Sequence, residues 1–167
     1  FSAARDPAVA VGVETPPPEA TATPADSPTA EPLRIPGLDI ELPHLSDAEE
    51  IEIGQAVARE VEAEYGVWQD AAAQQRIEAI GQRIVPVSDR PALTYHFIIL
   101  NTDEVNAFAA PGGFIFVSRG MLGFANPIPD DELASVIGHE IAHVARRHGA
   151  KRIERITLAI AIVEAAV

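Results

Sequence analysis

Five consecutive residues, His139-Glu140-Ile141-Ala142-His143, combine two imidazoles and a carboxylate at a spacing suited to metal-assisted hydrolysis. Successive residues of an α-helix are ~100° apart, so His143 would lie only ~40° around the axis from His139 and one turn along. Two imidazoles placed in this way can bind one zinc ion. Glu140 would lie beside them and take a proton from a water molecule bound to that ion. We therefore predict one Zn²⁺ per chain, with His139 and His143 as ligands and Glu140 as the catalytic base.

The helix that must carry this motif has recognisable start and end signals. Pro129 and the three acidic residues at 130–132 are typical of a helix N-terminus. Arg146 and Arg147 suit the negative end of the helix dipole, and Gly149 suits the position just beyond that end. The motif therefore falls in the second half of a helix of ordinary length.

The apolar residues of this helix are expected on the side opposite the histidines. They fall ~120–200° around the axis from His139 and form one stripe. The stripe comprises Leu133, Ile137, Ile141 and Val144. Packing of this stripe in the core leaves the histidines free to line a cleft. Continued helical winding would place His148 on the core side, so we do not expect it to be a ligand.

Two further helices are predicted ahead of the motif. Ser46 and Glu49 form a capping box for the first, which Gly66 can end. The second starts at Asp70 and stops before Pro86, with apolar residues at helical spacing between them. A more apolar helical stretch follows the motif, from residue 153 to the end of the chain.

Strands are predicted between these helices. Residues 94–100 are β-branched and aromatic, which favours a strand. Two apolar runs, 105–109 and 114–118, flank Pro111-Gly112-Gly113 and predict a hairpin. The fold class predicted is α+β, with the motif-bearing helix packed against a small β-sheet.

The first 43 residues have a different composition from the rest. Nine of the 14 prolines lie at or before Pro43, among Ala, Thr and acidic residues. Such a segment buries too little apolar surface to offset its ordering entropy. We predict a flexible tether at 1–43, with an extended arm docked on the domain as the alternative, and a folded domain at 44–167.

Charge and cysteine content exclude several classes of protein. The 167-residue chain has a net charge of −13 and no cysteine. A nucleic-acid partner is therefore not expected, since phosphate binding needs a basic face. Cysteine nucleophiles and thiolate metal sites are excluded. The acidic tether, the absence of Cys and a first residue that is not Met together fit an exported bacterial protein that is periplasmic or anchored to a membrane. The alternative is a cytoplasmic protein with a disordered tail.

A longer pattern resembles the HtpX/BepA-type zinc metalloproteases, a family that also includes CAAX prenyl proteases and mitochondrial inner-membrane relatives. The similarity covers roughly 46–155. Its most specific parts are the N-A-F-x-x-P-G-G run of 106–113 and the H-E-x-x-H-V-x-x-R-H run of 139–148. The resemblance implies a zincin-like fold, a role in membrane-linked protein quality control, and a strand near Asn106 that borders the active-site cleft.

The residues of that strand are the candidates for substrate binding. An edge strand can hold an extended peptide by backbone pairing, and the two glycines allow a tight turn beside it. The candidates are Asn106, Ala107, Phe108, Ala109, Gly112 and Gly113. The alternatives are a turn-capping role for Asn106 and ordinary core packing for Phe108.

The sequence pattern does not identify a clear third zinc ligand. A catalytic zinc usually has three protein ligands and a water, and members of the resembled family take a Glu from an E-x-x-x-D helix several dozen residues beyond the second His. We find no such motif and expect the chain to be the N-terminal part of a larger protease. Glu164 is the candidate within this chain, with Glu154 as a weaker one. The alternative for Glu164 is a charge that leaves an apolar helix face.

These residues support two functional hypotheses. The first is a zinc-dependent endopeptidase that acts on unfolded or misassembled polypeptides. The second is a non-catalytic fragment or pseudoenzyme that binds peptides or a partner through the same edge strand. Any membrane tether would lie outside this chain.

Overall fold

Five α-helices and three β-strands make up the described part of the computed structural model, residues 44–123 and 126–165, with no side chain described for 164 and 165. The predicted tether at 1–43 lies outside the described residues. The α+β class predicted from the sequence is confirmed.

Helix α1 (Asp47–Tyr65) begins with the predicted capping box. Ser46 accepts from the backbone N–H of Glu49, and the Glu49 carboxylate accepts from the backbone N–H of Ser46. The hydrogen bonds with Ser46 hold the pKa of Glu49 below its ordinary value. Gly66, with φ of 71°, ends the helix.

Helix α2 (Ala71–Ile84) starts where the sequence predicts, because Asp70 caps it by accepting from the backbone N–H of Ala73. Its buried residues, Ile77 and Ile80, pack into the main core. A 3₁₀ turn at Val85–Val87, with Pro86 in it, ends the helical stretch. The start of α2 and the apolar stripe that it buries therefore both follow from local sequence.

The sheet consists of β1 (His96–Leu100), β2 (Ala107–Ala110) and β3 (Phe114–Ser118) in the order β1-β3-β2. The predicted hairpin is confirmed, since β2 and β3 are antiparallel with Phe108 opposite Phe116. β1 pairs with the other side of β3 in a parallel register. β3 is buried on both faces, which explains its uninterrupted apolar run. β2 is consequently left at an edge of the sheet.

The Pro111–Gly113 turn lies against α1 at very short range. Gly112 has φ of 73°, and a Cβ built on it would lie 2.6 Å from the Cα of Ile51. From the other side, a Cβ on Gly54 would lie 2.0 Å from the carbonyl oxygen of Pro111. Glycine is therefore needed both in the turn, at Gly112, and on the helix, at Gly54, for the turn to pack against α1.

Helix α4 (Asp130–Ala145) carries the two histidines and contacts β2 and β3. Leu133, Ile137, Ile141 and Val144 are all buried in the main core. They meet Ile99 of β1 together with Ile115 and Val117 of β3. The opposite face of the sheet is covered by α1, where Ala58 packs with Phe114 and Phe116. α4 is thus fixed by its apolar stripe with the motif turned away from the core.

One short helix and the start of another helix were not foreseen in the sequence. A four-residue helix, α3 (Arg119–Leu122), follows β3 directly, with Ser118 as its cap. Helix α5 (His148–Ala165) begins five residues earlier than the predicted apolar stretch. None of the helices in the described ranges is long and apolar enough to cross a bilayer.

The junction between α4 and α5 differs from the expected one. The residue with positive φ is Arg147, at 57°, and Gly149 lies inside the first turn of α5. Gly149 packs against the ring of Pro111, where a Cβ would lie 3.1 Å from Cγ. The expectation that Gly149 ends the motif helix is therefore wrong, and its small size serves contact with the turn instead.

Candidate active site

The two motif histidines point the same ring nitrogen toward each other. Nε2 of His139 and Nε2 of His143 lie 3.0 Å apart, and the ring centroids are 4.6 Å apart. Two nitrogens bound to one tetrahedral zinc, each at about 2.0–2.1 Å, would be separated by about 3.3 Å. The pair therefore fits a single metal ion with little rearrangement, as their spacing on α4 predicts.

Glu140 faces a cleft between α4 and β2. The cleft has a volume of about 220 Å³ and is also lined by His143, Phe108, Ala109 and Pro111. Desolvation raises the pKa of the Glu140 carboxyl, while the neighbouring His143 and His139 act in the opposite direction. A carboxylate, an imidazole and part of the β2 edge strand thus line one surface depression.

His148 lies beside the pair, although helical extrapolation placed it on the core side. Its Nδ1 is 2.9 Å from Nδ1 of His143, and the two rings are nearly perpendicular. Desolvation, and then the charges of His143 and Lys151, lower the pKa of His148 and favour its neutral form. The extrapolation was wrong because it continued α4 through Arg147, where the chain turns. The sequence feature that could have indicated this position of His148 is its place directly after Arg146 and Arg147, at the end of the helix.

Three residues of β2, Phe108, Ala109 and Ala110, line the cleft. That this cleft is the active-site cleft of the family resemblance stays a prediction. Phe108 stacks on Phe116 with ring centroids 4.9 Å apart, so part of its surface is core packing. Ala107 and Ala109 are half-buried and pack toward α4. Asn106 is exposed, and its backbone exchanges hydrogen bonds with Ser118.

Gly112 and Gly113 are buried behind the turn rather than on the cleft surface. A Cβ on Gly113 would lie 2.1 Å from the carbonyl oxygen of Thr94, and Gly112 lies against α1. Both glycines therefore shape the turn from its inner side. Contact of either glycine with a substrate stays a prediction.

A buried carboxylate, that of Glu50, also lines the cleft, and no local sequence pattern indicated it. Glu50 of α1 has no exposed surface and accepts from Arg90 Nη1 at 3.0 Å and from Arg147 Nε at 2.9 Å. The backbone N–H of Gly112 donates to the same carboxylate at 3.3 Å. One side chain thus joins α1, the segment before β1, the hairpin turn and the end of α4.

Within the described ranges, no group of three His, Asp or Glu side chains is arranged to hold a metal ion. Glu164 lies in α5, and its side chain is outside the described residues. Glu154 accepts from the backbone N–H of Leu45 and lies 3.5 Å from His44. His96 stacks on Phe114. Glu154, His44 and His96 are therefore occupied by structural contacts in this chain.

Comparison with known proteins supports the motif-based resemblance. Residues 71–167 match the sequence pattern of peptidase family M48. The chain is 32% identical over 110 residues to the beta-barrel assembly-enhancing protease of Escherichia coli K12, which is 66% of this chain and 22% of that protein. It is 33% identical over 110 residues to the protein of the same name from Yersinia pestis, again 66% of this chain and 22% of that protein.

A mitochondrial protein is also similar. The mitochondrial metalloendopeptidase OMA1 of Schizosaccharomyces pombe is 35% identical over 77 residues, which is 46% of this chain and 22% of that protein. The chain thus spans about a fifth of the length of these relatives. The matched residues contain α4 with both motif histidines, β2 and the hairpin turn. The chain belongs to peptidase family M48.

Proposed function

We propose that this chain carries the catalytic core of a zinc-dependent endopeptidase that cleaves unfolded or misassembled polypeptides. The observation that carries the proposal is the 3.0 Å distance between Nε2 of His139 and Nε2 of His143, together with a cleft that His143 and Glu140 both line. Relatives named as proteases and metalloendopeptidases support the same reaction class.

His139 and His143 would hold the zinc, one ion per chain, through their Nε2 atoms. When bound, zinc would polarise the scissile carbonyl and make water a stronger nucleophile. A catalytic site needs a third protein ligand. Glu164 is our proposed ligand within this chain, and a longer parent protein is the other source.

Glu140 would act as the general base. From its place in the cleft, its carboxylate would accept a proton from the attacking water and then deliver that proton to the leaving amine. Removal of the carboxylate's charge without change of shape should abolish both transfers. The metal-binding pair would be unaffected because neither histidine is altered.

The β2 edge would align the substrate. A polypeptide laid along Ala107–Ala110 would pair its backbone with the free side of the strand. Asn106, at the exposed start of this edge, and Phe108 would contact the substrate, while Gly112 and Gly113 would hold the turn. Because backbone pairing of this kind requires an extended segment, folded proteins would be poor substrates. This is the basis for proposing unfolded or misassembled polypeptides.

We further propose an exported location, periplasmic or anchored to a membrane through parts outside this chain. The Escherichia coli relative is named for a role in beta-barrel assembly, which supports this setting. The net charge of −13 argues against nucleic acid as a partner. The domain boundaries proposed are a tether at 1–43 and the peptidase domain at 44–167.

The test compares Glu140→Gln with the wild-type protein on a labelled unfolded polypeptide, with bound zinc measured in parallel. We expect zinc to be retained and cleavage to fall by at least about 10³-fold, since general base and acid are lost together. Glu132→Gln is the matched control, because Glu132 is an exposed acid at the start of the same helix. Undiminished cleavage by Glu140→Gln would refute the mechanism.

A binding module without catalysis is the second candidate. It is favoured by the lack of a three-ligand metal group among the described residues. This function predicts that wild-type and Glu140→Gln proteins bind the unfolded polypeptide equally and that neither cleaves it with any added metal. Zinc-dependent cleavage by the wild type would exclude it.

A further inference from the structure

The chain reverses direction after the motif helix in a way that brings a third histidine to the first two. Arg147 adopts φ of 57°, a left-handed conformation that a non-glycine residue rarely takes. Its guanidinium donates to the buried Glu50 carboxylate and to the carbonyl oxygen of Leu45. These contacts hold the turn in place. His148 consequently lies next to His143, in the last turn of α4.

His143 is consequently bordered on both ring nitrogens. Its Nε2 faces His139 at 3.0 Å, and its Nδ1 faces Nδ1 of His148 at 2.9 Å. The ring of His148 lies edge-on, with centroids 4.8 Å apart and an interplanar angle of 79°. Such a geometry suits a hydrogen bond in the plane of one imidazole to the nitrogen of the other.

The chemistry of imidazole decides which nitrogen carries the proton. A neutral imidazole that gives its Nε2 lone pair to a metal must carry its proton on Nδ1. For His143 that proton points at Nδ1 of His148, which must accept it. An acceptor on the second nitrogen of a ligand histidine fixes its tautomer and ring orientation and raises its basicity.

We infer that His148 is a positioning residue, which accepts a hydrogen bond from Nδ1–H of His143 and holds His143 Nε2 toward the metal. The inference rests on the proposed zinc site. It assigns to an imidazole the role that a carboxylate or a carbonyl oxygen fills in most metal sites. His148 contacts no substrate in this role and acts only through His143.

Zinc affinity, measured by competition with a chelator in the 167-residue chain, tests the inference. We expect His148→Ala to weaken zinc binding about tenfold, the lower end of the usual range, because water can reach the exposed position. His148→Asn should restore most of the affinity, since its amide oxygen takes the place of Nδ1. Thr157→Ala, an exposed and uncharged change on the same helix, is the matched control and should have no effect.

A second measurement reports the hydrogen bond itself. In the zinc-loaded chain, the Nδ1 proton of His143 should exchange slowly with solvent and give an observable imidazole N–H resonance. The resonance should disappear in His148→Ala and return in His148→Asn. A structural role for His148 in folding alone would not produce this pattern.

The variants distinguish failure of the His148 role from failure of the proposed zinc site. If zinc binding is lost in His139→Ala but unchanged in His148→Ala, the inference is overturned and the zinc site stands. If the wild-type chain binds no zinc, or His139→Ala leaves binding unchanged, the proposed zinc site fails and the inference fails with it. Equal losses in His148→Ala and His148→Asn would also overturn the hydrogen-bonding role.

Discussion

Removal of the buried Glu50 carboxylate should be among the most damaging single changes in the described domain. Glu50 has 0% exposure and accepts from three donor groups: the guanidiniums of Arg90 and Arg147, and the backbone N–H of Gly112. The two arginine side chains are only 16% and 17% exposed. Glu50→Ala would remove the buried counter-ion that both arginines share and leave Arg90 with Asp47 at 3.1 Å and Arg147 with Glu154 at 3.8 Å.

The expected size follows from the burial. Loss of one partner of a buried, hydrogen-bonded ion pair costs about 3–5 kcal/mol, because the remaining charge is uncompensated. A domain of this size has a free energy of unfolding of about 5–15 kcal/mol in total. With a urea m-value of about 2 kcal/mol per molar, the unfolding midpoint should fall by roughly 2 M. Glu50→Gln keeps one acceptor oxygen and should lose less.

Asp47→Ala provides the matched control. Asp47 lies one turn earlier on the same helix and pairs with the same Arg90, at 3.1 Å, but its side chain is 60% exposed. An exposed pair of this kind contributes below about 1 kcal/mol. Urea unfolding followed by circular dichroism would compare the two variants with the wild type. Equal midpoints for Asp47→Ala and Glu50→Ala would refute the reasoning, because burial would then not determine the cost.

Two glycine substitutions should change stability in opposite directions. Gly112→Ala should destabilise by about 2–4 kcal/mol in the same urea assay, since φ is 73° and the new Cβ would lie 2.6 Å from the Cα of Ile51. Gly138→Ala should stabilise by about 0.5–1 kcal/mol, because this residue lies inside α4 and its Cβ would meet only Ile84, at 3.8 Å. A neutral result for Gly112→Ala would contradict the packing described for the turn, and a loss for Gly138→Ala would contradict the open space beside it.

The elements that local sequence specifies were predicted well. The capping box of Ser46 and Glu49 begins α1, Asp70 caps α2, and the Pro-Gly-Gly break produces the hairpin. Each of these features depends on residues within a few positions of one another. The short distance between His139 and His143 on α4 is also a local property, because it follows from a four-residue spacing on one helix.

Features that depend on distant contacts were missed. The carboxylate of Glu50 is buried by groups 40, 62 and 97 residues away, and nothing near it in sequence separates it from the exposed Glu49. We predicted that Gly149 ends the motif helix, because glycine adopts the left-handed conformation most easily. In the structure Arg147 has that conformation, and its guanidinium pairs with Glu50. The position of His148 was wrong for the same reason.

The Glu50 contacts also bear on the order in which the molecule folds. Because the carboxylate on α1 must meet partners from three other segments, its burial requires that α1, the segment before β1, the hairpin turn and the junction after α4 are already close together. Contacts between residues so far apart in sequence form late, after the entropy of closing long loops has been overcome. A nascent chain cannot complete the contacts of Glu50 until Arg147 has left the ribosome. Local opening at α1 would in turn release the hairpin turn and the junction after α4 together, as one cooperative unit.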